Sequence, residues 1–330
     1  MKIAINGFGR IGRPVFKIAM DHPEVEAVAI NDLADLENLA YLLKYDTVYG
    51  VYQKDVQVKD GNLIVGGKEI KCFSEKDPAN LPWGELEIDM VVESTGVFRD
   101  RESAGKHLEA GAGRVIITAP AKDESIKTIV LGVNEEDIKE EDKIISNASC
   151  TTNCIAPMMK VLDEKFGIEK SLMSTIHSYT SSQSIVDGPS KKDFRRGRAA
   201  AYNVVPTSTG AALASALTLP QLDGIFDGMA YRVPTLAGSV SDIVAVLKED
   251  AKEEEINKAF REAEEGSLKD ILKTSDEPLV SHDILGSYYS VIVQTDLTKV
   301  TGGNLVKAVG WYDNEWGYSA RVIDLALKMQ

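Results

Sequence analysis

The chain has 330 residues and a formal net charge of -14, and 44% of its residues are hydrophobic. This length exceeds what one hydrophobic core usually supports, so we expect two domains. The acidic balance argues against nucleic-acid binding, which needs a basic surface, and no apolar run approaches the roughly 18 residues of a membrane span. Because the chain starts directly with an apolar strand and shows no signal peptide, we expect a cytoplasmic protein.

The first 150 residues alternate β-branched segments with helical segments. Helices are predicted at residues 10–20 and 101–110, and an antiparallel excursion at 52–73 turns at Asp60-Gly61-Asn62. Strands are predicted at residues 2–6, 25–31, 88–93, 115–118, 128–133 and 143–146. This rhythm is typical of an α/β domain with a Rossmann-type, doubly wound, mostly parallel sheet.

After residue 150 the pattern changes to longer strand segments. A helix at 151–166 is followed by Gly167 as its C-cap, and further helices are predicted at 251–265 and 316–329. Strands are predicted at residues 171–178, 228–233, 239–248, 288–295 and 304–312. Because no helix separates several of these strands, we expect an α+β catalytic domain with a mainly antiparallel sheet. The predicted domains are residues 1–149 and 150–314, with the C-terminal helix at about 315–330 packing back on the first domain.

A glycine motif follows the first predicted strand. Gly7, Gly9 and Gly12 form Gly-x-Gly-x-x-Gly between a strand and a helix, and Asp32 ends the second strand. Gly7 permits a tight turn, Gly9 lets the backbone approach a pyrophosphate, and Gly12 lets the helix pack closely on the strand. The carboxylate of Asp32 would accept hydrogen bonds from ribose hydroxyls and would repel a 2′-phosphate. The motif therefore predicts a dinucleotide site that prefers NAD to NADP.

Three cysteines occur, and Cys150 has the most informative surroundings. It lies at a strand-to-helix junction, where Ser149 is the expected N-cap. A helix N-terminus lowers the pKa of a thiol, and the thiolate is the reactive form. Cys154 is interpreted as a buried apolar residue, and no chemistry is assigned to Cys72. A sparse, odd number of cysteines fits a reducing compartment, and no ligand pattern predicts a metal site.

A nucleophilic cysteine needs a base, and the chain has four histidines: His22, His107, His177 and His282. His177 lies at the end of a predicted strand, where catalytic side chains often project. The others are predicted in a loop before proline, in a charged helix and in a loop-like segment. His177 is therefore the predicted partner of Cys150.

A series of motifs in one order then identifies a resemblance that covers essentially the whole chain. The motifs are Ile5-Asn6-Gly7-Phe8-Gly9-Arg10-Ile11-Gly12-Arg13, Glu93-Ser94-Thr95-Gly96-Val97-Phe98, Ser149-Cys150-Thr151-Thr152-Asn153-Cys154, His177 with Tyr179-Thr180, Arg195-Arg196, Thr209-Gly210-Ala211-Ala212, Tyr231-Arg232-Val233-Pro234-Thr235 and Trp311-Tyr312-Asp313-Asn314-Glu315. The chain resembles the phosphorylating, NAD-dependent glyceraldehyde-3-phosphate dehydrogenase family.

The resemblance implies an oxidoreductase that converts glyceraldehyde 3-phosphate and inorganic phosphate to 1,3-bisphosphoglycerate. Cys150 would form a thiohemiacetal and then a thioester, with His177 as the base, and the protein would be a homotetramer. The implied substrate-phosphate residues are Thr180 and Arg232, and the implied inorganic-phosphate residues are Ser149, Thr151, Arg196, Thr209 and Gly210. The implied cofactor residues are Asn6, Gly7, Gly9, Arg10, Ile11, Gly12, Asp32, Lys76, Thr118 and Asn314.

A basic run accompanies these motifs: Lys191, Lys192, Arg195, Arg196 and Arg198. The resemblance places this run in a loop between neighbouring subunits. One departure, Gly188 in place of a common leucine, leaves tolerance of NADP open.

Other functions stay open at this point. Erythrose-4-phosphate dehydrogenases share the fold, and aspartate-semialdehyde dehydrogenases share the Cys–His logic but would not need two phosphate sites. A non-catalytic NAD-binding interaction protein would not need Cys150 with His177, and a cysteine hydrolase would not need the glycine motif.

Overall fold

The computed structural model describes residues 1–190 and 193–330 and consists of two compact units. The first unit comprises Met1–Ile129, Glu136–Ala148 and Ser319–Gln330. The second unit comprises Val130–Glu135 and Ser149–Tyr318. Within the described ranges, no helix is both long enough and apolar enough to cross a membrane.

The first unit alternates strands with helices. Its strands are β1 Lys2–Asn6, β2 Glu26–Asn31, β3 Tyr45–Asp46, β4 Gly50–Val51, β5 Val56–Lys59, β6 Asn62–Val65, β7 Lys68–Phe73, β8 Met90–Glu93, β9 Arg114–Ile117, β10 Lys127–Thr128 and β11 Ile144–Ser146. Its helices are α1 Gly12–Asp21, α2 Leu36–Lys44 and α3 Arg101–Glu109.

These strands form a nine-stranded sheet in the order β10-β11-β9-β8-β1-β2-β7-β6-β5. The strands from β10 to β7 in this order pair in parallel, and β7, β6 and β5 pair antiparallel. β1 and β8 lie at the centre and are almost wholly buried, as apolar strands covered on both faces should be. The predicted mostly parallel, doubly wound sheet is confirmed.

Besides the short strands β3 and β4, which were not predicted, two features of the first half differ from the sequence predictions. The strand predicted at 128–133 is wrong beyond Thr128, because the chain turns at Gly132, whose φ is 82°, and the N–H of Val133 donates to the carbonyl of Val130. The segment is apolar because its side chains are buried, and in the sequence such an apolar run resembles a buried strand. Helix α2 was not predicted; Asp35 caps it by accepting from the N–H of Asn38, and Leu39 and Leu43 are buried.

The second unit is built on longer strands. Its helices are α4 Cys150–Phe166, α5 Ala211–Thr218 and α6 Glu253–Glu265. A further helix, α7 Trp316–Lys328, starts in this unit and belongs to the first unit from Ser319 onward. Its strands are β12 Ile168–Ser178, β13 Val205–Ser208, β14 Phe226–Val233, β15 Ser239–Leu247, β16 Leu272–Ser275, β17 Val291–Gln294, β18 Lys299–Thr301 and β19 Leu305–Tyr312. Of these, α5, β13, β16 and β18 were not predicted.

The sheet of this unit has the order β13-β14-β12-β15-β19-β17-β16, with β18 paired to β19. Five of its seven pairings are antiparallel; β12 with β14 and β16 with β17 are parallel. The predicted mainly antiparallel sheet is confirmed. Helix α4 packs on this sheet through a buried face that includes Ile155, Met158 and Leu162, so the start of the helix has a fixed position.

Candidate active site

Cys150 is the first residue of α4, and the chain reaches it through a tight turn. Ala148 has a φ of 53°, in the left-handed region that non-glycine residues rarely adopt. The hydroxyl of Ser149 accepts the N–H of Thr152 at 3.1 Å, so Ser149 is the N-cap that the sequence predicts. Together the turn and the cap place the thiol at the amino end of the helix.

His177 lies next to this thiol. Sγ of Cys150 is 3.4 Å from Nε2 of His177, and the imidazole is buried near the end of β12. The parallel register of β12 and β14 pairs His177 with Arg232. A residue 55 positions away in the sequence is thereby brought beside the imidazole.

Arg232 and a carbonyl oxygen compete for the other ring nitrogen. Nδ1 of His177 is 2.7 Å from Nη1 of Arg232 and 2.7 Å from the carbonyl oxygen of Ser178. A hydrogen on Nδ1 satisfies the Ser178 oxygen and leaves Nε2 free to accept the thiol proton. A hydrogen on Nε2 leaves Nδ1 to accept from Arg232 and points at Sγ, which suits a thiolate. The cluster therefore accommodates the proton on either side of the Cys150–His177 pair.

The pKa directions describe the resting state of this pair. Desolvation of the half-buried thiol raises the pKa of Cys150, against the lowering effects of the Arg232 charge, of the Thr151 hydroxyl and of the N–H groups of Thr151 and Cys150. The predicted lowering by the helix start is thus present but outweighed by burial. Burial, followed by the Arg232 charge, lowers the pKa of His177 to about 3. Both directions favour the uncharged forms, a thiol beside a neutral imidazole.

The side chain of Tyr312 connects α4, which carries Cys150, with β12, which carries His177. Its buried hydroxyl lies 3.0 Å from Oγ1 of Thr151 on α4 and 2.7 Å from Oγ1 of Thr175 on β12. The tyrosine ring also packs edge-on against the imidazole of His177, with centroids 6.0 Å apart. Sequence reasoning gave Tyr312 no role, and its position in a marker motif was the one signal available.

Part of the predicted anion set forms a second cluster. The hydroxyl of Ser182 is 2.9 Å from that of Thr180 and accepts from Nη2 of Arg196 at 2.7 Å. Ser182 was not predicted, and it joins two residues that were expected in different phosphate sites. The buried donors without a hydrogen-bond partner in the described part of the chain include three from this region: Nε of Arg196, Nε of Arg232 and Nε2 of Gln183.

The remaining predicted anion residues lie at two helix starts. Thr209 accepts the N–H of Ala211 at 3.2 Å, and Gly210 is the N-cap residue of α5 with open space where a Cβ would be. Ser149 and Thr151 lie at the start of α4, with their hydroxyls used by Thr152 and Tyr312 respectively. Lys191 and Lys192 of the basic run lie outside the described residues.

Asn314 follows β19, and its amide orientation is fixed. Its Oδ1 accepts from the Ser178 hydroxyl at 3.0 Å, from the Ser239 hydroxyl at 2.9 Å and from the N–H of Gly238 at 3.1 Å. These donors leave the Nδ2 hydrogens of Asn314 to donate elsewhere.

In the first unit, the glycine motif forms the predicted turn between β1 and α1. Gly7 has a φ of 92°, and a Cβ there would lie 2.7 Å from the main-chain nitrogen of Thr95. A Cβ on Gly12 would lie 2.1 Å from the carbonyl oxygen of Gly7, so helix and turn pack directly on each other. A Cβ on Gly9 would enter open space, which is where a bound pyrophosphate would need room.

Asp32 closes the same turn. Its Oδ2 accepts the N–H of Phe8 at 2.7 Å and its Oδ1 accepts the N–H of Ala34 at 2.9 Å. A cavity of about 480 Å³ adjoins it, lined among others by Leu33, Leu36, Leu39, Cys72 and Phe73. An apolar pocket bordered by a carboxylate fits an adenine ring and its ribose.

The other predicted cofactor residues differ in what their side chains do. Nη1 of Arg10 pairs with Oδ2 of Asp46 at 2.5 Å, and the Asn6 side chain is buried among polar neighbours. Ile11 precedes α1, Thr118 donates its hydroxyl to the carbonyl of Glu93 at 3.2 Å, and Lys76 is exposed.

The other cysteines differ from Cys150 in their partners: Sγ of Cys72 donates to the carbonyl of Ile70 at 3.3 Å, and Sγ of Cys154 to that of Gly310 at 3.8 Å. Burial raises the pKa of Cys72 to about 11 and raises that of the fully buried Cys154 further. Among residues 1–190 and 193–330, no cluster of histidine, cysteine or acidic side chains has an arrangement that could hold a metal ion.

A larger cavity, of about 880 Å³, lies against the sheet of the second unit. Its lining includes Leu172, Phe226, Val244 and Leu305 but none of the predicted catalytic residues. The Cys150–His177 pair thus lies outside this cavity.

Comparison with known proteins connects both units to one family. The family model described as glyceraldehyde 3-phosphate dehydrogenase, NAD binding domain, matches residues 1–101, and the model of the C-terminal domain matches residues 149–314. The chain is 56% identical over 329 residues to glyceraldehyde-3-phosphate dehydrogenase of Geobacillus stearothermophilus, covering 99% of this chain and 97% of that protein. It is 55% identical over 328 residues to glyceraldehyde-3-phosphate dehydrogenase 1 of Bacillus subtilis (strain 168), with the same coverage. It is 54% identical over 336 aligned positions to glyceraldehyde-3-phosphate dehydrogenase of Borreliella burgdorferi, covering 100% of this chain and 99% of that protein.

Proposed function

The chain belongs to the glyceraldehyde-3-phosphate dehydrogenase family, and we propose that it oxidises and phosphorylates D-glyceraldehyde 3-phosphate through a Cys150 thioester. It is an NAD-dependent oxidoreductase, in keeping with its NAD-binding domain and its relatives. The observation that carries the mechanism is the 3.4 Å contact between Sγ of Cys150 and Nε2 of His177 at the start of α4.

Each covalent step can be assigned to these two side chains. Sγ of Cys150 bonds to the aldehyde carbon, and the proton that leaves the thiol passes by way of His177 to the carbonyl oxygen, giving a thiohemiacetal. A bound NAD would supply the acceptor for the hydride that leaves this carbon. His177 accepts the hydroxyl proton at Nε2, and the carbon becomes a thioester. An oxygen of inorganic phosphate then attacks the thioester carbon, the bond to Sγ breaks, and 1,3-bisphosphoglycerate leaves.

The resting pKa directions fit a base that works on bound substrate. A neutral imidazole is competent to accept a proton, and its low pKa makes it release that proton readily. A substrate phosphate paired with Arg232 would offset the positive charge 2.7 Å from Nδ1. Substrate binding would therefore raise the basicity of His177 when it is needed. The N–H of Cys150, at the helix start, would stabilise the oxyanion.

The anion residues are proposed to act as two sites. Thr180 and Arg232 would bind the substrate phosphate, and Ser149, Thr151, Arg196, Thr209 and Gly210 would bind inorganic phosphate. The unpartnered donors on Arg196 and Arg232 support this assignment, because a bound anion would satisfy them. Because the Ser182 hydroxyl contacts both Thr180 and Arg196, the two proposed sites would adjoin each other.

The cofactor residues fit NAD in the first unit. Main-chain groups at Gly7, Gly9, Arg10, Ile11 and Gly12 would bind the pyrophosphate, and Asp32 would bind the adenosine ribose. Asn6, Lys76 and Thr118 complete the proposed set in this unit. In the second unit, the free Nδ2 of Asn314 would orient the nicotinamide amide. We assign these roles to domains at 1–149 and 150–314, with the C-terminal helix packing on the first.

We further propose a cytoplasmic homotetramer without nucleic-acid or membrane partners. The acidic net charge of -14 supports the absence of nucleic-acid binding. Exposed apolar side chains in the second unit, including Phe194 and Tyr202, support burial against other subunits. Light scattering on the purified protein would test this assembly.

The deciding experiment follows reduced-cofactor absorbance with glyceraldehyde 3-phosphate and NAD, with and without inorganic phosphate. Sustained turnover that requires phosphate supports the proposal, and turnover without phosphate would mean that the second anion site is misassigned. A parallel arm with erythrose 4-phosphate tests the related dehydrogenase activity. Faster turnover in that arm would replace the proposed substrate.

A further inference from the structure

The marker motif that begins at Glu93 has no role in the reaction as described so far. Glu93 ends β8, and the register pairs it with Asn6 at the end of β1, which in turn pairs with Asn31 at the end of β2. All three side chains are at least 96% buried. They form a polar row across the carboxyl ends of three parallel strands, where apolar side chains would be the simpler choice.

One arm of hydrogen bonds reaches Glu93 through the asparagines. The N–H of Glu75 donates to Oδ1 of Asn31 at 2.8 Å, so Nδ2 of Asn31 must be the donor to Oδ1 of Asn6 at 2.7 Å. Nδ2 of Asn6 must then donate to Oε2 of Glu93 at 2.5 Å. A main-chain N–H thus determines both amide orientations.

A second arm reaches the same carboxylate through His107. The indole N–H of Trp83 can only donate, and it donates to Nδ1 of His107 at 3.0 Å. The ring hydrogen therefore lies on Nε2, which donates to Oε2 of Glu93 at 3.1 Å. Both His107 and Trp83 are completely buried.

Thr95 completes the set around Glu93. Its N–H donates to Oε1 of Glu93 at 2.9 Å, and its hydroxyl, which accepts the N–H of Val97 at 3.1 Å, donates to the same oxygen. All four groups bonded to the carboxylate are therefore donors. An amide at this position would place its own N–H groups against donors, so the network specifies a carboxylate.

The row is bonded directly to the glycine turn. The N–H of Gly7 donates to the carbonyl of Asn31 at 2.8 Å, and the hydroxyl of Ser94 donates to the carbonyl of Gly7 at 2.6 Å. Gly7 also abuts the main chain of Thr95, one of the groups that Glu93 holds. A shift of Glu93 would therefore move the Gly7 turn, which positions the following backbone at Gly9 for the pyrophosphate.

We propose that Glu93, held by Asn6 and His107, is the positioning residue that sets the Gly7 turn for the NAD pyrophosphate. This inference rests on the proposed NAD site. It assigns His107 a part in cofactor affinity, although His107 touches neither the substrate nor Cys150.

The test measures NAD affinity in the full-length protein by calorimetry, at a temperature well below unfolding. Glu93→Gln should raise the Kd and the KM for NAD at least tenfold and leave kcat at saturating NAD within about threefold. The rate of Cys150 alkylation in the NAD-free Glu93→Gln protein should differ from the wild-type rate by less than twofold. His107→Phe should weaken NAD binding to a similar extent. His107→Gln retains one donor and one acceptor, so its Kd for NAD should stay closer to the wild-type value.

Two controls separate positioning from general damage. Glu109→Gln removes an exposed carboxylate on the same helix as His107 and should leave the Kd unchanged. Val115→Ala opens the core of the same sheet and should lower Tm without a matching rise in Kd. The proposal is overturned if the Kd for NAD of Glu93→Gln and of His107→Phe lies within twofold of the wild-type Kd. It is also overturned if Val115→Ala, at the same loss of Tm, raises the Kd for NAD as much as they do. If the wild-type protein itself does not bind NAD, the proposed function fails instead.

Discussion

The glycine turn of the first unit is a backbone structure whose polar neighbours are paired. The cluster of Cys150, His177 and Arg232 in the second unit consists of side chains and retains an unpartnered donor. Around Glu93, each amide and ring orientation is determined by a fixed donor. Around Arg232, Nδ1 of His177 faces both a donor and an acceptor, and Nε of Arg232 has no partner in the described part of the chain. This difference suits the proposed roles, because the glycine turn would hold a cofactor in one position and the Cys150 site would bind anions and transfer protons.

The largest effect is expected at the nucleophile. Cys150→Ser should lower turnover at least ~10³-fold, because a serine hydroxyl beside a weakly basic imidazole is a far poorer nucleophile than a thiolate. The affinity for NAD should stay within about twofold, since the glycine turn lies in the first unit. Coupled kinetics and calorimetry measure the two quantities. Cys154→Ala is the matched control, and equal loss of turnover there would contradict the assignment of Cys150.

The next largest effect is expected at the base. His177→Asn should lower kcat ~10²–10⁴-fold with little change in the KM for glyceraldehyde 3-phosphate, because proton transfer is lost while the anion contacts remain. Rapid-mixing kinetics of the first turnover provide the measurement. His282→Asn removes an exposed histidine of the same unit and should behave as the wild type. A KM effect without a kcat effect at His177 would argue for binding, not base catalysis.

Arg232→Leu tests the electrostatic link between the anion site and the Cys150–His177 pair. Loss of the guanidinium should raise the pKa of both Cys150 and His177, since its charge lowers both. The rate of Cys150 alkylation at pH 7 should fall several-fold, and the KM for the substrate should rise at least tenfold. The pH profile of alkylation by iodoacetamide is the measurement. An unchanged profile would exclude this electrostatic role.

Asp32→Ala tests the cofactor side of the comparison. Removal of the carboxylate should lower the preference for NAD over NADP by about tenfold, because the repulsion of a 2′-phosphate is worth on the order of 1–2 kcal/mol near a surface. The ratio of kcat/KM for the two cofactors measures this preference. Glu37→Ala removes the same charge from a nearby exposed position. If both variants shift the ratio equally, the effect is one of overall charge and not of the Asp32 contact.

The smallest effect is expected in the pH dependence of stability. The pKa of His177 is about 3 in the folded protein and about 6.5 in an unfolded chain, so between these values the unfolded state binds more protons. The free energy of unfolding should therefore fall as the pH drops below about 6.5, by at most ~1.4 kcal/mol per pH unit from this group. Urea unfolding from pH 7 to pH 5 measures the slope, which His177→Asn should flatten and His282→Asn should not.

Local sequence determined much of the cofactor turn. Gly7 must adopt a positive φ, and Gly12 must lack a side chain. Asp32 follows at the end of the next strand. Each of these features depends on a short stretch of chain. The cap at Ser149 likewise determined that Cys150 starts a helix. Such features depend on backbone sterics and neighbouring hydrogen bonds, which a sequence expresses directly.

Tertiary structure decided what those residues can do. The strand register placed Arg232 beside His177, and Tyr312 joined α4 to β12, although these residues are far apart in the chain. The sequence predicted a lowered pKa for Cys150 from the helix start, but the packing around the thiol reversed the net direction. The Glu93–His107 network could not be predicted from the sequence, because His107 looks there like one polar residue of a charged helix, and only the fold buries it. Burial and long-range register arise from the whole chain, so neither can be deduced from a motif alone.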